Sequence, residues 1–387
     1  MTINKANIVY ITLLISVGLS NVSQIPSLVE NPVFKLLSYI PWLLLAMEVI
    51  LFVDKKHTIR LNNSYNVLAL VGGIMLICLV LEMMGRNGLN VYLLRPIMIS
   101  IYIYIVSYNV AYWIPKKNFQ TIALIYILSG GIVSVFVSIT MLENGFSWDS
   151  GVYAYASKNS VSQILFTAWF LLILYRKVFR RIPVLLMDVG IGFLTVVLFM
   201  LKSRATLLCV IFVFCSVIFT KKYHITTRML FGLLGIIFVF ALINNINFRD
   251  LLLNKIIFAG RDSTDIDAIS SGRVTMIEDF PEMFVAKPLL GYGQEYVECM
   301  QLDALIETGL IGGIIINILA VVPICYCIRN KRKIVDKCDF SLLIISLCYY
   351  ANGFFEQLAP FGPGVKCYFL WMLYGMCLAW NRREETC

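Results

Sequence analysis

The chain has 387 residues, 59% of them hydrophobic and 14% charged, and its mean hydropathy is +0.82. Soluble globular chains average about 25% charged residues, so a water-soluble fold is excluded. The formal charge of +9 invites a nucleic-acid reading, but the placement of the basic residues gives it another meaning.

Hydrophobic stretches of about 17 to 22 residues recur from end to end, each long enough to cross a hydrocarbon core about 30 Å thick. In lipid a helix satisfies its own backbone. The expected fold is therefore all-α and polytopic, a single integral membrane domain over 1–387. About twelve transmembrane helices are expected, at 7–23, 34–53, 65–84, 90–108, 119–141, 159–175, 184–200, 204–220, 229–246, 303–328, 340–357 and 364–380. The first is expected to stay in the mature protein, because only Lys5 precedes it and no small-residue cleavage site closes it.

Taken alternately, one set of loops holds 20 of the 32 basic residues, among them Lys5, Lys55, Lys56, Arg60, Lys116, Lys117, Arg176, Lys177, Lys221, Lys222, Arg228, Arg329, Lys331, Arg382 and Arg383. By the positive-inside rule these loops face the cytoplasm, which puts both termini there. The basic excess is then a topology signal, and nucleic acid is not an expected partner. The opposite side receives a loop of about 17 residues from Leu142 to Lys158 and a large external loop, 247–302, between the ninth and tenth spans. A loop that long is usually functional, and short helices lying against the membrane are expected within it.

Both histidines, His57 and His224, fall in the cytoplasmic set. A Ser-His-Asp site or a zinc peptidase on the external face is thereby excluded. Asp262, Asp265 and Asp267 lack the glycine and closing glutamate of a calcium loop, and a solvated acidic turn is the expected reading. The eleven cysteines show no CxxC zinc spacing. No P-loop or dinucleotide fingerprint is present, so no cofactor and no metal are expected.

Cations on the external side run against the orientation rule, and Arg95, Lys158, Lys202, Arg204, Arg273 and Lys287 form that group. Arg95 lies within a span, where it must snorkel, pair or line a wet cavity. The densest motif runs Ser271-Gly272-Arg273, then Glu278 and Asp279, then Lys287-Pro288-Leu289-Leu290-Gly291-Tyr292-Gly293, and finally Ile306-Glu307-Thr308-Gly309-Leu310-Ile311-Gly312. Gly291 and Gly293 permit a sharp fold around Tyr292, and Gly309 and Gly312 permit the next helix to pack closely or to start late.

In this order the motif resembles the signature of the bacterial O-antigen polymerase and O-antigen ligase superfamily: an arginine, a PLLGxG turn and an ExGLxG helix start after a large external loop. Lys202-Ser203-Arg204-Ala205-Thr206-Leu207-Leu208 resembles that family's SRxxLL element, and Ser157-Lys158-Asn159-Ser160 the KN that opens an earlier helix in many polysaccharide polymerases. Ligases of the superfamily carry a histidine-asparagine pair nine residues before the glutamate of the ExG element. Here Glu298 and Cys299 hold those places, which favours the polymerase.

The resemblance implies glycosyl transfer on the outer leaflet of the bacterial inner membrane. A growing glycan, O-antigen or capsule, leaves undecaprenyl pyrophosphate and joins the next lipid-linked repeat unit, and membrane lipid and a chain-length regulator protein are the implied partners. Arg204 and Arg273 suit the departing pyrophosphate, because guanidinium stays charged and grips phosphate oxygens in pairs. Glu298 is the first candidate to take the acceptor proton, with Glu295, Asp303 and Glu307 as alternatives. Lys158, Asn159, Arg95, Lys202, Tyr292 and Glu307 are the expected substrate-binding residues. A ligase and a lipid-linked oligosaccharide flippase are the competing functions.

Overall fold

The structure, a computed structural model, describes residues 4–53, 59–60, 72–73, 75–77, 81, 91–148, 158–179, 182–258, 267, 272–293, 295–330, 336–362 and 364–386. Among them every regular element is a helix. In chain order these are α1 (Lys5–Val22), α2 (Pro26–Val29), α3 (Pro32–Leu51), α4 (Val91–Val110), α5 (Phe119–Glu143), α6 (Lys158–Tyr175), α7 (Val184–Met200), α8 (Arg204–Phe219), α9 (Ile225–Asn244), α10 (Ile246–Asp250), α11 (Arg273–Ala286), α12 (Met300–Arg329), α13 (Lys337–Asn352) and α14 (Tyr368–Thr386). A π-helical turn, Leu251–Ile257, continues α10.

Among the described residues five helical stretches are long and apolar enough to cross a membrane: Lys5–Val22, Pro32–Leu51, Lys116–Glu143, Ile225–Asn244 and Met300–Arg329. Shorter apolar helices, Leu94–Val110, Val184–Met200 and Arg204–Phe219, stand beside them. The chain is a multi-pass membrane protein. Each expected span overlaps a helix, and in 65–84 the described residues 72–73, 75–77 and 81 are helical.

The starts of these helices follow from local chemistry. The His224 imidazole accepts the Thr226 N–H and opens α9, and the Asn245 side chain accepts the Phe248 N–H to open α10. Each satisfies an amide that the helix itself leaves unpaired. His224 thus has a capping role; His57 lies outside the described residues.

The chain forms two compact units, one of residues 1–20, 36–119 and 275–387, the other of 21–35 and 120–274. In the first, α4 lies along α14. The Tyr104 and Tyr374 rings stack with centroids 4.9 Å apart, and Trp380 donates its indole N–H to the Ile114 carbonyl at 2.7 Å. A Cβ added at Gly375 would fall on the Tyr104 carbonyl, so this glycine sets how closely the helices approach. At one end of this unit Lys116 bonds Asp336, Asp339 and Asn381 at 2.6, 2.8 and 2.9 Å.

In the second unit α6 is the centre, with every residue from Ser160 to Tyr175 buried. Ala168 lies where a side chain at Gly130 of α5 would sit, and Trp169 donates to Thr195 of α7 at 2.9 Å. Helix α9 is apolar yet mostly exposed. An apolar helix with that exposure belongs in lipid.

Helix α12 departs from the expected continuous span 303–328. Gly309 has φ 66° and ψ −170°, so the helix breaks there. The Asn317 side-chain amide donates to the Gln301 carbonyl at 3.2 Å, whereas sixteen residues of straight helix would span about 24 Å. Residues 300–308 therefore double back alongside the segment that begins at Leu310. A Cβ added at Gly313 would press on Leu305 Cα and Ala304 O, at 2.8 and 3.0 Å. The glycines that suggested a late start to this helix mark a reversal.

Candidate functional site

The break in α12 is closed by the turn that precedes it. With the helix interrupted, the carbonyls of Ile306 and Glu307 lose their usual partners one turn on. They accept instead the N–H groups of Tyr292 and Gly293, both at 2.9 Å, while Leu310 N–H donates to the Pro288 carbonyl at 2.8 Å. The PLLGYG turn and the ETGLIG helix start are thus one structure, a short two-stranded stitch across a helix break. Gly291 (φ 68°) and Gly293 (φ 81°) supply left-handed backbone that other residues resist. A Cβ at Gly291 would collide with the carbonyl groups of Ile306 and Glu307, and one at Gly309 with the backbone of Leu289 and Leu290. No other residue type fits either place without displacing main chain.

Tyr292 is held by this turn. Its hydroxyl donates to the Met283 carbonyl at 3.1 Å, and Lys287 Nζ stands 4.3 Å from its ring centroid. Glu307 is buried on the short helix, one turn beyond the fully buried Asp303, so the two carboxylates share a face. Asp303 Oδ1 accepts the Val297 N–H at 3.0 Å and the Gln357 amide at 3.1 Å. Asp303 thereby fixes the segment that carries Glu298. Glu298 is half-buried, accepts the Tyr296 hydroxyl at 3.2 Å, and rests its own N–H against Met276 Sδ at 3.2 Å.

The connection between α13 and α14 meets the same region of this unit. Met300 N–H donates to the Gly353 carbonyl at 2.7 Å. The connection also carries Lys366, fully buried and 3.2 Å from the Glu356 carboxylate. Arg95 comes to this region too: its neighbour Pro96 packs against Gly362, Ser100 donates to the Phe361 carbonyl at 3.1 Å, and its own guanidinium lies 5.8 Å from the Tyr39 ring centroid. Lys366, Glu356, Gln357 and Asn352 were missed because the span assignment swallowed them. A lysine and a glutamate bracketing a proline-glycine turn were the signal available.

In the second unit, Lys158 and Asn159 open α6 and Arg204 opens α8. The two helix starts are joined by hydroxyls: Ser162 to Thr206 at 2.8 Å and Thr206 to Ser203 at 3.0 Å. The KN and SRxxLL elements, about forty residues apart in sequence, are thus adjacent. Lys202 is buried with φ 49°, and its ammonium donates to the Trp148 carbonyl at 2.7 Å. It works as a brace for that corner, leaving Arg204, partly exposed, as the guanidinium at the head of α8.

Arg273 opens α11 in the same unit. Gly272 (φ 79°) turns the chain into the helix, its N–H bonded to the Asp267 carbonyl at 2.9 Å, and the Asp267 carboxylate accepts the Val274 N–H at 3.1 Å. Asp267 is therefore a cap that orients Arg273, whose Nε is buried; Asp262 and Asp265 lie outside the described residues. A helix start with its capping carboxylate gives Arg273 a fixed backbone to project from.

The two units differ in what they hold. One presents guanidinium groups at helix starts, the other buried carboxylates and amides around a broken helix. A comparison with protein families matches residues 189–301 to the family described as O-antigen ligase. The match spans α8, Arg204, Arg273 and the PLLGYG turn and ends at the start of α12. No curated protein matches the chain.

Proposed function

We propose that this chain, of which residues 189–301 match the family described as O-antigen ligase, is a polysaccharide polymerase of the outer leaflet of the inner membrane. It transfers a growing glycan from undecaprenyl pyrophosphate to the next lipid-linked repeat unit. In the reaction, a hydroxyl oxygen of the acceptor sugar bonds to the anomeric carbon of the donor. The bond from that carbon to the pyrophosphate oxygen breaks, and the electron pair leaves with the pyrophosphate.

Arg204 and Arg273 stabilise the charge on the departing pyrophosphate. Guanidinium is suited to this because it presents paired N–H donors and holds its charge at every working pH. Glu298 takes the proton from the attacking hydroxyl as a general base. Lys158 and Asn159 bind the donor beside Arg204, and Lys202 holds that corner in shape. The observation that supports the reading is the joining of the SRxxLL and KN helix starts through Ser162, Thr206 and Ser203, which makes the helix starts that carry Arg204, Lys158 and Asn159 adjacent.

The ligase is the second reading, favoured by the description of the matched family. Against it stand Glu298 and Cys299, in place of the histidine-asparagine pair found in ligases.

Cells lacking the protein separate these functions when their lipid-linked and surface glycans are resolved by gel and mass analysis. A polymerase leaves single repeat units on the outer side. Long polymer held on undecaprenyl pyrophosphate identifies a ligase, and single units trapped inside identify a flippase.

A further inference from the structure

Buried polar atoms in folded proteins are nearly all hydrogen-bonded, and the start of the short helix 300–308 departs from this rule. Asn352 is 1% exposed, yet neither atom of its side-chain amide has a partner among the described residues. Asp303 is 0% exposed, and its Oδ2 has none, although Oδ1 is fully used. Gln301 Nε2 is likewise buried without a partner.

The segments that carry these atoms adjoin. Gly353, the residue after Asn352, accepts Met300 N–H through its carbonyl, and a Cβ added to it would lie 3.2 Å from Gln301 Nε2. Gln357, four residues further on, donates to Asp303. Two donors and two acceptors, one of them a carboxylate oxygen, lie on these adjoining segments without partners among the described residues.

We propose that Gln301, Asp303 and Asn352 form a subsite for the hydroxyl groups of a sugar ring. A sugar hydroxyl both donates and accepts, so neighbouring hydroxyls complement a mixed set of amides and a carboxylate. A phosphate offers only acceptors, and the Asp303 carboxylate would repel it. The ligand class is therefore a neutral saccharide. Its identity as a repeat unit rests on the polymerase reading; the subsite itself rests on the unfilled bonds.

Asn352→Leu tests the proposal, because its amide makes no bond among the described residues and leucine is of similar size. The full-length protein in lipid nanodiscs is titrated with the repeat-unit oligosaccharide released from the cell's own surface glycan by mild acid. The expected result is a dissociation constant raised at least tenfold, with a melting temperature equal to or above that of the wild type. Asp303→Asn is expected to weaken binding as well. An unchanged dissociation constant in Asn352→Leu overturns the subsite, as does a wild type that binds no oligosaccharide. A lowered melting temperature in Asn352→Leu also overturns it, since the amide would then be structural. Long chains in cells lacking the protein, alongside binding that depends on Asn352, would remove the polymerase reading and leave the subsite standing.

Discussion

The N–H of Gly293 donates to the carbonyl of Glu307 at 2.9 Å, across fourteen residues of chain. That bond, with its neighbour from Tyr292 to Ile306, explains why a glycine-framed turn and a glycine-broken helix occur together. Neither is stable alone: the turn has unpaired amides and the helix unpaired carbonyls, and each burden costs about 1–3 kcal/mol when buried. Together they cancel.

Substitution at this junction is therefore expected to be severe. Gly291→Ala and Gly309→Ala place a methyl group against backbone in a left-handed conformation, at a cost of about 2–4 kcal/mol each. The same change at Gly131 or Gly192, helical positions with nothing within 4 Å of an added Cβ, is expected to be neutral or slightly stabilising. Melting temperatures of the four variants in one detergent check the contrast.

Removal of a leaving-group donor should slow chemistry without harming the fold. Arg204→Ala and Arg273→Ala are each expected to reduce chain elongation by about 10²–10³-fold. The lysine variants should recover only part of the rate, because lysine keeps the charge and loses the paired geometry. Initial rates of polymer formation on purified lipid-linked repeats, at matched protein levels, distinguish these outcomes.

The hydroxyl link between the two helix starts should matter less than the arginine it positions. Thr206→Val cuts the bonds to Ser162 and Ser203, with an expected loss of about 1 kcal/mol of stability. Elongation should fall by less than tenfold, against the larger loss in Arg204→Ala. The two rates measured side by side give the test.

Acid should release the bond between Asp336 and Lys116. Burial alone would raise the Asp336 carboxyl, but the hydrogen bond and charge of Lys116 outweigh it and hold Asp336 below the ordinary carboxylate range. Its stabilising contribution is fully present above the unfolded carboxylate value of about 3.9 and is lost as pH falls through the lower folded value. Melting curves from pH 7 to pH 3 should show a loss on the acid side that is smaller in Asp336→Asn.

The positions of the helices could be read from composition because a membrane imposes length and apolarity on each one separately, as α5 and α9 show. The reversal at Gly309 could not. Its glycines are equally compatible with close packing, a late start or a hairpin, and only the bonds from Tyr292 and Gly293 decide between them. The same limit hid Lys366 and Asn352, which hydropathy absorbs into flanking spans although one is ion-paired and the other has unfilled bonds. Arg204 and Arg273 were legible because each opens a helix after a small residue, and that pattern is local. The contacts that hold Tyr292, its ring against Lys287 and its hydroxyl on the Met283 carbonyl, were not legible either.

The stitch between residues 288–293 and 306–310 also sets where the chain tolerates change in length. Residues added upstream of Lys287 leave the pairing of Tyr292 with Ile306 in phase, so the large loop can be lengthened or shortened there while its exit stays fixed. One residue inserted within the short helix, between Asp303 and Ile306, would rotate Asp303 by about 100° relative to the turn, taking its carboxylate away from Val297 and Gln357. The junction acts as a ruler for the short helix, and a change of length inside that helix is expected to cost more than one in the loop upstream of Lys287.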